Sequence, residues 1–385
     1  MLLPQELIEL VLAALDVESL HACSLVSLVF LAPSQALIFR SLVIHYADIP
    51  KAQSLFATAP HLLRYVRDLE IELQVTLSEQ NPVLASILSS FHHLECLTIS
   101  GGGVEWDYEV TLPLQSAVHD LLASPDLHTL NLSDIRNMSC SFIFLALSSV
   151  KRFALHSISV QEQDGEPHRP ASLRIEQFIL RAPPSNELEH IVDLILPDSR
   201  RRPPGYLDNL SLLSLGMHQR IGVRNPSLRL LVATARTLRH LQLRCGVFQM
   251  ALDLPLFSVL KVIELRFYLG RGAGFPTNLR TAVAAFLTTT PTLEVLRLTI
   301  HGVGFDREHA GNDHSGPFPL FDDACAYRER LLYLWRVHCH WWSTKLCSVQ
   351  DRADFSVYIH GKFPGLWGTG ILQISAGRDQ DDRFD

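Results

Sequence analysis

Three stretches of the chain share one spacing of leucines: Ser124–Leu132 (SPDLHTLNL), Thr234–Leu243 (TARTLRHLQL) and Thr289–Leu298 (TTPTLEVLRL). Each contains Leu-x-x-Leu-x-Leu, and the chain holds 66 leucines in 385 residues. Residues two apart lie on one face of a β-strand, so we expect the last two leucines of each motif to point into a core. A leucine motif that recurs in this way predicts a repeat protein.

The same motif, with other apolar residues replacing some leucines, occurs nine times between residues 66 and 298, at intervals of 22 to 33 residues. Its starts are Val66, Leu94, Leu127, Val150, Ile175, Leu207, Leu238, Leu260 and Leu293. Helical patterns lie between several motifs, at residues 82–91, 114–123, 227–235 and 279–287. We therefore predict an α/β fold in which residues 43–300 form a stacked, solenoid-like array with parallel strands. A doubly wound α/β domain also alternates strands and helices, but it gives no reason for the recurring leucine motif.

The first 42 residues carry a different pattern, which predicts three short helices. Pro4 suits the first turn of a helix, and Asp16 and Ser19 can cap a second helix. We expect Pro33 to end the second helix and Ser34 to cap a third. Three short helices form too small a core to stand alone, so we expect the array to cover one side and a partner helix the other.

This N-terminal segment resembles an F-box of the type common in fungal F-box proteins. The resemblance rests on Leu3–Leu7 (LPQEL), Ala22–Val26 (ACSLV) and Ile38–Leu42 (IFRSL). Phe30 matches the family's aromatic position, whereas the usual preceding basic residue is absent. The body of the chain is similar to the irregular leucine-rich-repeat region of many F-box proteins.

The resemblance implies a substrate-recognition subunit of an SCF-type ubiquitin ligase, a protein that performs no bond chemistry itself. It implies that the N-terminal helices bind a Skp-type adaptor and that the array binds a target protein. The residues expected to contact the adaptor are Leu3, Pro4, Leu7, Ile8 and Leu12. Two alternatives remain open: a protein-interaction scaffold whose N-terminal helices only cap the array, and an enzyme recognisable by a deep pocket with convergent titratable groups.

Strand positions that alternate with the buried leucines are expected to face solvent and to be free to bind a target. This surface would run from acidic positions in early motifs (Asp68, Glu70, Glu72) to basic ones in late motifs. The residues expected to bind the target are His240, Arg244, Glu264, Arg266 and Arg297. Because arginine suits carboxylate and phosphate, we expect an acidic or phosphorylated target segment, with ordinary solvated strand residues as the alternative.

Composition narrows the class of protein further. The net charge of −7 does not favour nucleic-acid binding. Seven cysteines without a CxxC motif indicate reduced thiols and a cytoplasmic or nuclear protein. The first 20 residues lack the basic region of a signal peptide, and Pro33 breaks the uncharged stretch Ser19–Phe39, so no membrane span is predicted. No P-loop, nucleophile elbow or dinucleotide-binding fingerprint occurs, so we predict neither an enzyme nor a cofactor.

Residues 301–385 are expected to form a loop (301–320), an amphipathic capping helix at Phe321–Leu346 and closing strands at Phe355–His360 and Leu372–Ser375, followed by a polar tail. Cys325, Cys347 and the run His338-Cys339-His340 match no standard zinc spacing, so no metal site is predicted. Polar insertions are expected at Gln161–Ala171 and at Pro197–Gly205, which includes three consecutive arginines.

Overall fold

Parallel strands alternate with helices in the computed structural model of the chain, which confirms the predicted α/β class. The structure describes residues 4–74, 81–161, 173–181, 187–196, 206–217, 226–245, 254–268, 279–302, 333–334, 336–343, 349–366 and 369–378. The chain divides into two compact units. The first comprises Met1–Ile175 and Ala182–Glu187, and the second Glu176–Arg181 and Leu188–Asp385.

Several predicted segments lie outside the described residues. These are nearly all of the two polar insertions, most of the loop predicted at 301–320 and of the capping helix predicted at Phe321–Leu346, and the tail from 379 onward.

The first unit begins with the three predicted helices, α1 (Gln5–Leu12), α2 (Val17–Val26) and α3 (Leu28–Ile38). The predicted cap is confirmed, because an Asp16 carboxylate oxygen accepts a hydrogen bond from the Ser19 backbone N–H at 2.8 Å.

The predicted break at Pro33 is wrong, since this proline lies inside α3. The chain breaks at Ser27, whose backbone is extended and whose hydroxyl accepts a hydrogen bond from the Val29 N–H. A serine that caps the next helix satisfies a backbone donor there, so the boundary falls at the cap.

The rest of the first unit alternates strands and helices. Its five strands pair in sequence order, and each is parallel to its neighbours. The elements are β1 (Ser41–Ile44), α4 (Ile49–Thr58), β2 (Asp68–Glu72), α5 (Asn81–Leu88), β3 (Cys96–Glu105), α6 (Trp106–Glu109), α7 (Leu112–Leu122), β4 (Thr129–Arg136), α8 (Cys140–Ser149) and β5 (Arg152–His156).

The described residues of the second unit form seven strands, which also pair in sequence order and in parallel. Its elements are β6 (Gln177–Arg181), α9 (Glu187–Ile195), β7 (Leu212–Met217), α10 (Pro226–Thr234), β8 (His240–Cys245), β9 (Val262–Tyr268), α11 (Leu279–Thr289), β10 (Val295–Gly302), β11 (Arg336–Ser343), α12 (Val349–Lys362) and β12 (Leu372–Arg378). A doubly wound sheet reverses its strand order at a switch point, and neither unit does so among its described strands.

The apolar residues of the leucine motifs form the core of each unit, as predicted. In the first unit Leu97, Leu130 and Phe153 are neighbours in register and are fully buried. In the second unit, the corresponding fully buried neighbours in register are Leu241, Ile263 and Leu296. Eight of the nine motifs bury all three of their apolar residues in the predicted frame.

The motif that starts at Leu207 is predicted three residues too early, because the buried frame is Leu210, Leu213 and Leu215. Leu213 and Leu215 pair with Leu241 and Leu243 and are buried, whereas Leu212 pairs with His240 and is only half-buried. The leucines at 207–215 permit both frames, and a shift by an odd number of residues turns every side chain to the other face of a strand. The neighbouring strands select the frame that buries Leu213.

Two predictions for the C-terminal region are wrong. Residues 336–343, predicted as part of a helix, form β11, because Val337, Cys339 and Trp341 alternate into the core with period 2. Phe355–His360, predicted as a strand, lies in α12, where the buried residues Phe355 and Ile359 are one helical turn apart. The strand predicted at Leu372–Ser375 is confirmed within β12.

Candidate functional site: the polar face of the second unit

The outward side chains of β8–β12 form two lateral rows on one face of the second unit, which we call the polar face. The register places Gln242, Glu264, Arg297, His338 and Gln373 in the first row. It places Arg244, Arg266, Thr299, His340 and Ser375 in the second row. Because strand residues two apart share a face, both rows lie opposite the buried leucines.

A concave pocket of about 470 Å³ opens on the polar face. It is lined by Glu264, Arg266, Arg297, Thr299, His301, Arg336, His338, His340 and Gln373. All of these side chains carry polar atoms, and they come from β9, β10, β11 and β12. The pocket therefore offers hydrogen-bonding and charged groups to a polar ligand.

An ion pair at one side of the pocket neutralises one of its cations. The Arg266 Nε donates to Glu264 Oε1 at 2.7 Å, and the side-chain amide of Gln242 donates to the other carboxylate oxygen at 3.2 Å. Glu264 is only 6% exposed, so its carboxylate is held by these two neighbours. We expected Glu264 to contact a target directly, and its burial leaves it the role of orienting Arg266.

The lining residues carry a net positive charge. Among the described lining residues, three arginines (Arg266, Arg297 and Arg336) stand against one carboxylate, that of Glu264. Arg297 is exposed and makes no ion pair with any residue in the part of the chain that the structure describes. The pocket is therefore an electropositive site inside a chain whose net charge is negative.

Two histidines of the pocket, His338 and His340, are held in their neutral form. Burial, with the nearby Arg297 and Arg336 guanidinium groups, lowers the pKa of His338. Burial, with the neighbouring His338 and His301, lowers the pKa of His340 to about 4. A charged imidazole loses solvation in such a place and is repelled by the arginines, so both rings are neutral near pH 7.

Ser375 joins the two histidines of β11. Its Oγ lies 2.9 Å from His338 Nε2 and 2.6 Å from His340 Nδ1. A serine hydroxyl has one proton to donate, so at least one of the two rings must donate an N–H to the oxygen. These contacts fix the ring orientations of His338 in the first row and of His340 in the second.

The structure brings some of the five expected target-binding residues together and separates others. Arg266, Arg297 and the buried Glu264 line the pocket. Arg244 is the register neighbour of Arg266 in the second row but does not line the pocket. His240 pairs with Val262 in the lateral row next to the first, on the same face, but does not line the pocket, and burial lowers its pKa.

Sequence analysis missed His301, Arg336, His338 and His340, because it assigned residues 301–320 to a loop and 321–346 to a helix. It also missed Gln373, although it predicted the strand that carries this residue. The signal was present: Leu334, Val337 and Cys339 have the spacing of the leucine motif and are all buried. Cys339 points into the core, opposite the two histidines, and burial raises the pKa of its thiol. Within the described ranges, no group of three or more His, Cys, Asp or Glu side chains is arranged to hold a metal ion.

A second candidate site lies on α1–α3 of the first unit. Of the residues expected to contact an adaptor, Ile8 and Leu12 pack with Leu20 in the small core of these helices and are buried. They support the segment from inside instead of facing a partner. Pro4 is exposed and Leu7 is 48% exposed, whereas Leu3 lies outside the described residues.

The same helices expose many other large apolar side chains, which we call the N-terminal apolar surface. Eight of the seventeen exposed large hydrophobic residues in the described part of the chain fall between residues 7 and 29. They are Leu7, Leu10, Val11, Val17, Leu25, Val26, Leu28 and Val29. Most of this surface was not predicted, because helical periodicity alone does not say which apolar residues the small core leaves outside.

No model of a known protein family matches the chain, and a search of curated proteins finds no match. None of the helices in the described ranges is long and apolar enough to cross a membrane.

Proposed function

We propose that the chain is a substrate-recognition subunit of an SCF-type ubiquitin ligase. Its N-terminal helices would bind a Skp-type adaptor, and the polar face of the second unit would bind a target protein. The observation that carries the proposal is the N-terminal apolar surface, which lies within the segment that resembles an F-box.

Burial of the exposed apolar side chains by a partner would be energetically favourable. Burying one leucine or valine side chain is favourable by about 1.5–3 kcal/mol, so eight exposed ones represent a large unused driving force for association. Exposed apolar residues scattered singly are normal, whereas a concentration of them marks an interaction site. Helices that present such a surface suit a partner that packs its own helices against them.

The second half of the proposal concerns the target. Arg244, Arg266 and Arg297 give the polar face an arginine-rich surface that suits a carboxylate- or phosphate-bearing segment. The receptor would bring this segment near the ubiquitin-loaded enzyme and supply proximity, with no bond chemistry of its own. We place the protein in the cytoplasm or nucleus, where the thiols of Cys23, Cys96, Cys140 and Cys339 stay reduced.

Co-purification with a Skp-type adaptor tests the proposal. The full chain is compared with Leu10→Asp, which places a charge at a leucine that is 70% exposed on α1. Leu112→Asp is the matched control, because Leu112 is 79% exposed on α7, outside the N-terminal apolar surface. We expect the full chain and Leu112→Asp to retain the adaptor, and Leu10→Asp to lose it, since a charge buried in an apolar interface is strongly unfavourable.

The opposite results point to the alternative. If the unmodified chain does not retain the adaptor, the helices serve as a cap, and the protein is an interaction scaffold without a ligase role. If both aspartate variants lose the adaptor equally, binding does not depend on the N-terminal apolar surface and the proposal fails.

A further inference from the structure

We propose that the outward side of β2, in the first unit, binds an extended protein segment that carries lysine or arginine at alternate positions. The outward side chains of this strand are those of Asp68, Glu70 and Glu72, which we call the acidic strip. The inference goes beyond the proposed function, which assigns no role to this face. It concerns residues of the first unit only.

The spacing of the three carboxylates suits an extended ligand. Leu69 and Ile71 point into the core between them, so the acidic residues leave β2 on one side. Strand residues two apart are separated by about 7 Å. The side chains on one face of an extended segment repeat at the same interval, so alternate cationic residues can each meet one carboxylate.

The carboxylate at the centre of the acidic strip is available to such a ligand. Glu70 is exposed and makes no ion pair with any residue in the part of the chain that the structure describes. Glu72 contacts His45 at 2.8 Å, and both of these side chains are about half exposed. Burial raises the pKa of Asp68 despite the nearby Arg40, so a further cation would stabilise its charged form.

A buried amide on the same face lacks a hydrogen-bond donor. Asn131 lies in one lateral row with Glu70 and Thr98, and it is only 8% exposed. Its Nδ2 donates to Thr98 Oγ1 at 3.1 Å, whereas its Oδ1 accepts no hydrogen bond from the described residues. A buried acceptor is costly to leave unpaired. The terminal torsion of asparagine is soft, so the oxygen can turn toward the N–H donors of a ligand lying over β2 and β3.

The strands beside the acidic strip leave room for the backbone of the ligand. The residues of β3 that pair with the strip are Cys96, Thr98 and Ser100, which all have short side chains. On the other side, β1 contributes Ser41 and Val43. Val43 is 45% exposed and offers an apolar contact to the aliphatic stem of a lysine or arginine.

Fluorescence anisotropy on the full chain tests the inference with three labelled peptides. They are Lys-Thr-Lys-Thr-Lys, the rearranged Lys-Lys-Lys-Thr-Thr and the acidic Glu-Thr-Glu-Thr-Glu. An ionic strength of about 20 mM keeps the screening of exposed charges low. We expect saturable binding of the alternating lysine peptide, weaker binding of the rearranged peptide and none of the acidic one.

Two single substitutions separate the acidic strip from the overall charge of the chain. Glu70→Gln should weaken binding of the alternating peptide by about two- to fivefold, because it removes one exposed charge pair. Asp120→Asn is the matched control, since Asp120 is an exposed carboxylate on α7, outside the strip, and it should leave the affinity unchanged. Both residues are exposed, so both variants are expected to fold, and unchanged thermal unfolding midpoints verify this.

Three results would each overturn the inference. The first is the absence of saturable binding of the alternating lysine peptide. The second is an equal loss of affinity in Glu70→Gln and Asp120→Asn, which would assign the binding to the net negative charge of the chain. The third is equal affinity for the two lysine peptides, which would contradict the extended arrangement. Adaptor retention is measured separately, so failure here is distinguishable from failure of the proposed function.

Discussion

His340 and Ser375 face each other at paired positions of β11 and β12, with 2.6 Å between His340 Nδ1 and Ser375 Oγ. The contact joins the last two strands of the second unit on the polar face. It also fixes a histidine whose surroundings, burial together with His338 and His301, disfavour its charged form. The pair therefore links the stability of this edge to pH.

We predict that stability falls on acidification and that His340 contributes to the loss. The folded-state pKa of His340 is about 4, below its ordinary value of 6.5, so the unfolded chain binds the proton more readily. Stability from this group is fully present above pH 6.5 and is lost as the pH falls toward 4. Urea unfolding midpoints at pH 7, 6 and 5 should decline for the unmodified chain and decline less for His340→Asn, which can keep a contact with Ser375. Identical pH slopes for the two proteins would contradict this role.

A pair of adjacent leucines tests the strand register of the second unit. Leu213 is fully buried and Leu212 is half-buried, although both are leucines of β7. Leu213→Ala should lower the free energy of unfolding by about 2–5 kcal/mol, as for other core leucines. Leu212→Ala should cost less than about 1 kcal/mol, as for substitutions outside the core. Urea denaturation of both variants measures the difference, and a larger loss for Leu212→Ala would restore the frame predicted from sequence.

The ion pair of Glu264 and Arg266 predicts a loss of stability when its carboxylate is removed. Glu264→Gln removes a buried carboxylate that accepts hydrogen bonds from Arg266 and Gln242, which should cost roughly 1–3 kcal/mol of stability.

Urea unfolding of the unmodified chain and of Glu264→Gln measures this loss of stability. An unchanged unfolding midpoint would contradict a stabilising role of the Glu264 carboxylate.

Replacing two glycines with alanine should change the free energy of unfolding in opposite directions. A Cβ on Gly101 would lie 2.6 Å from Ile135 Cγ1 and 2.8 Å from the Asp134 carbonyl oxygen, both closer than van der Waals contact. Gly101→Ala should therefore destabilise the protein by about 1–3 kcal/mol. Gly361 lies in α12 with open space around it, so Gly361→Ala should stabilise by roughly 0.5–1 kcal/mol. Thermal and urea unfolding check both signs, and a neutral Gly101→Ala would mean that β4 shifts to make room.

The N-terminal segment shows where sequence patterns stop being informative. Its three helices and the cap at Asp16 were predicted from apolar spacing and residue preferences. The boundary between α2 and α3 was misplaced, because Pro33 is the stronger local signal and Ser27 the one that the backbone uses. Leu7 and Ile8 are equally apolar neighbours. Ile8 packs against Leu20 and is a core residue, whereas Leu7 is exposed, and only the tertiary packing separates the two.

Sequence patterns also predicted only part of the binding site on the polar face. Arg266 and Arg297 were expected on one surface because they alternate with buried leucines. His338 and Arg336 were missed because the tryptophans that follow suggested a helix, although Val337 and Cys339 already alternated with them. A local pattern that fits two periods can be decided only by the strand beside it.

The sequence by itself determined where most strands lie and which of their faces is buried, because Leu-x-Leu buries both leucines on one side of any strand. The tertiary structure alone decided which side chains meet across strands. Arg297 and His338 are 41 residues apart and become neighbours only when β10 pairs with β11 in one particular register. Register depends on how whole strands pack against one another, and no stretch of sequence as short as a leucine motif contains that information.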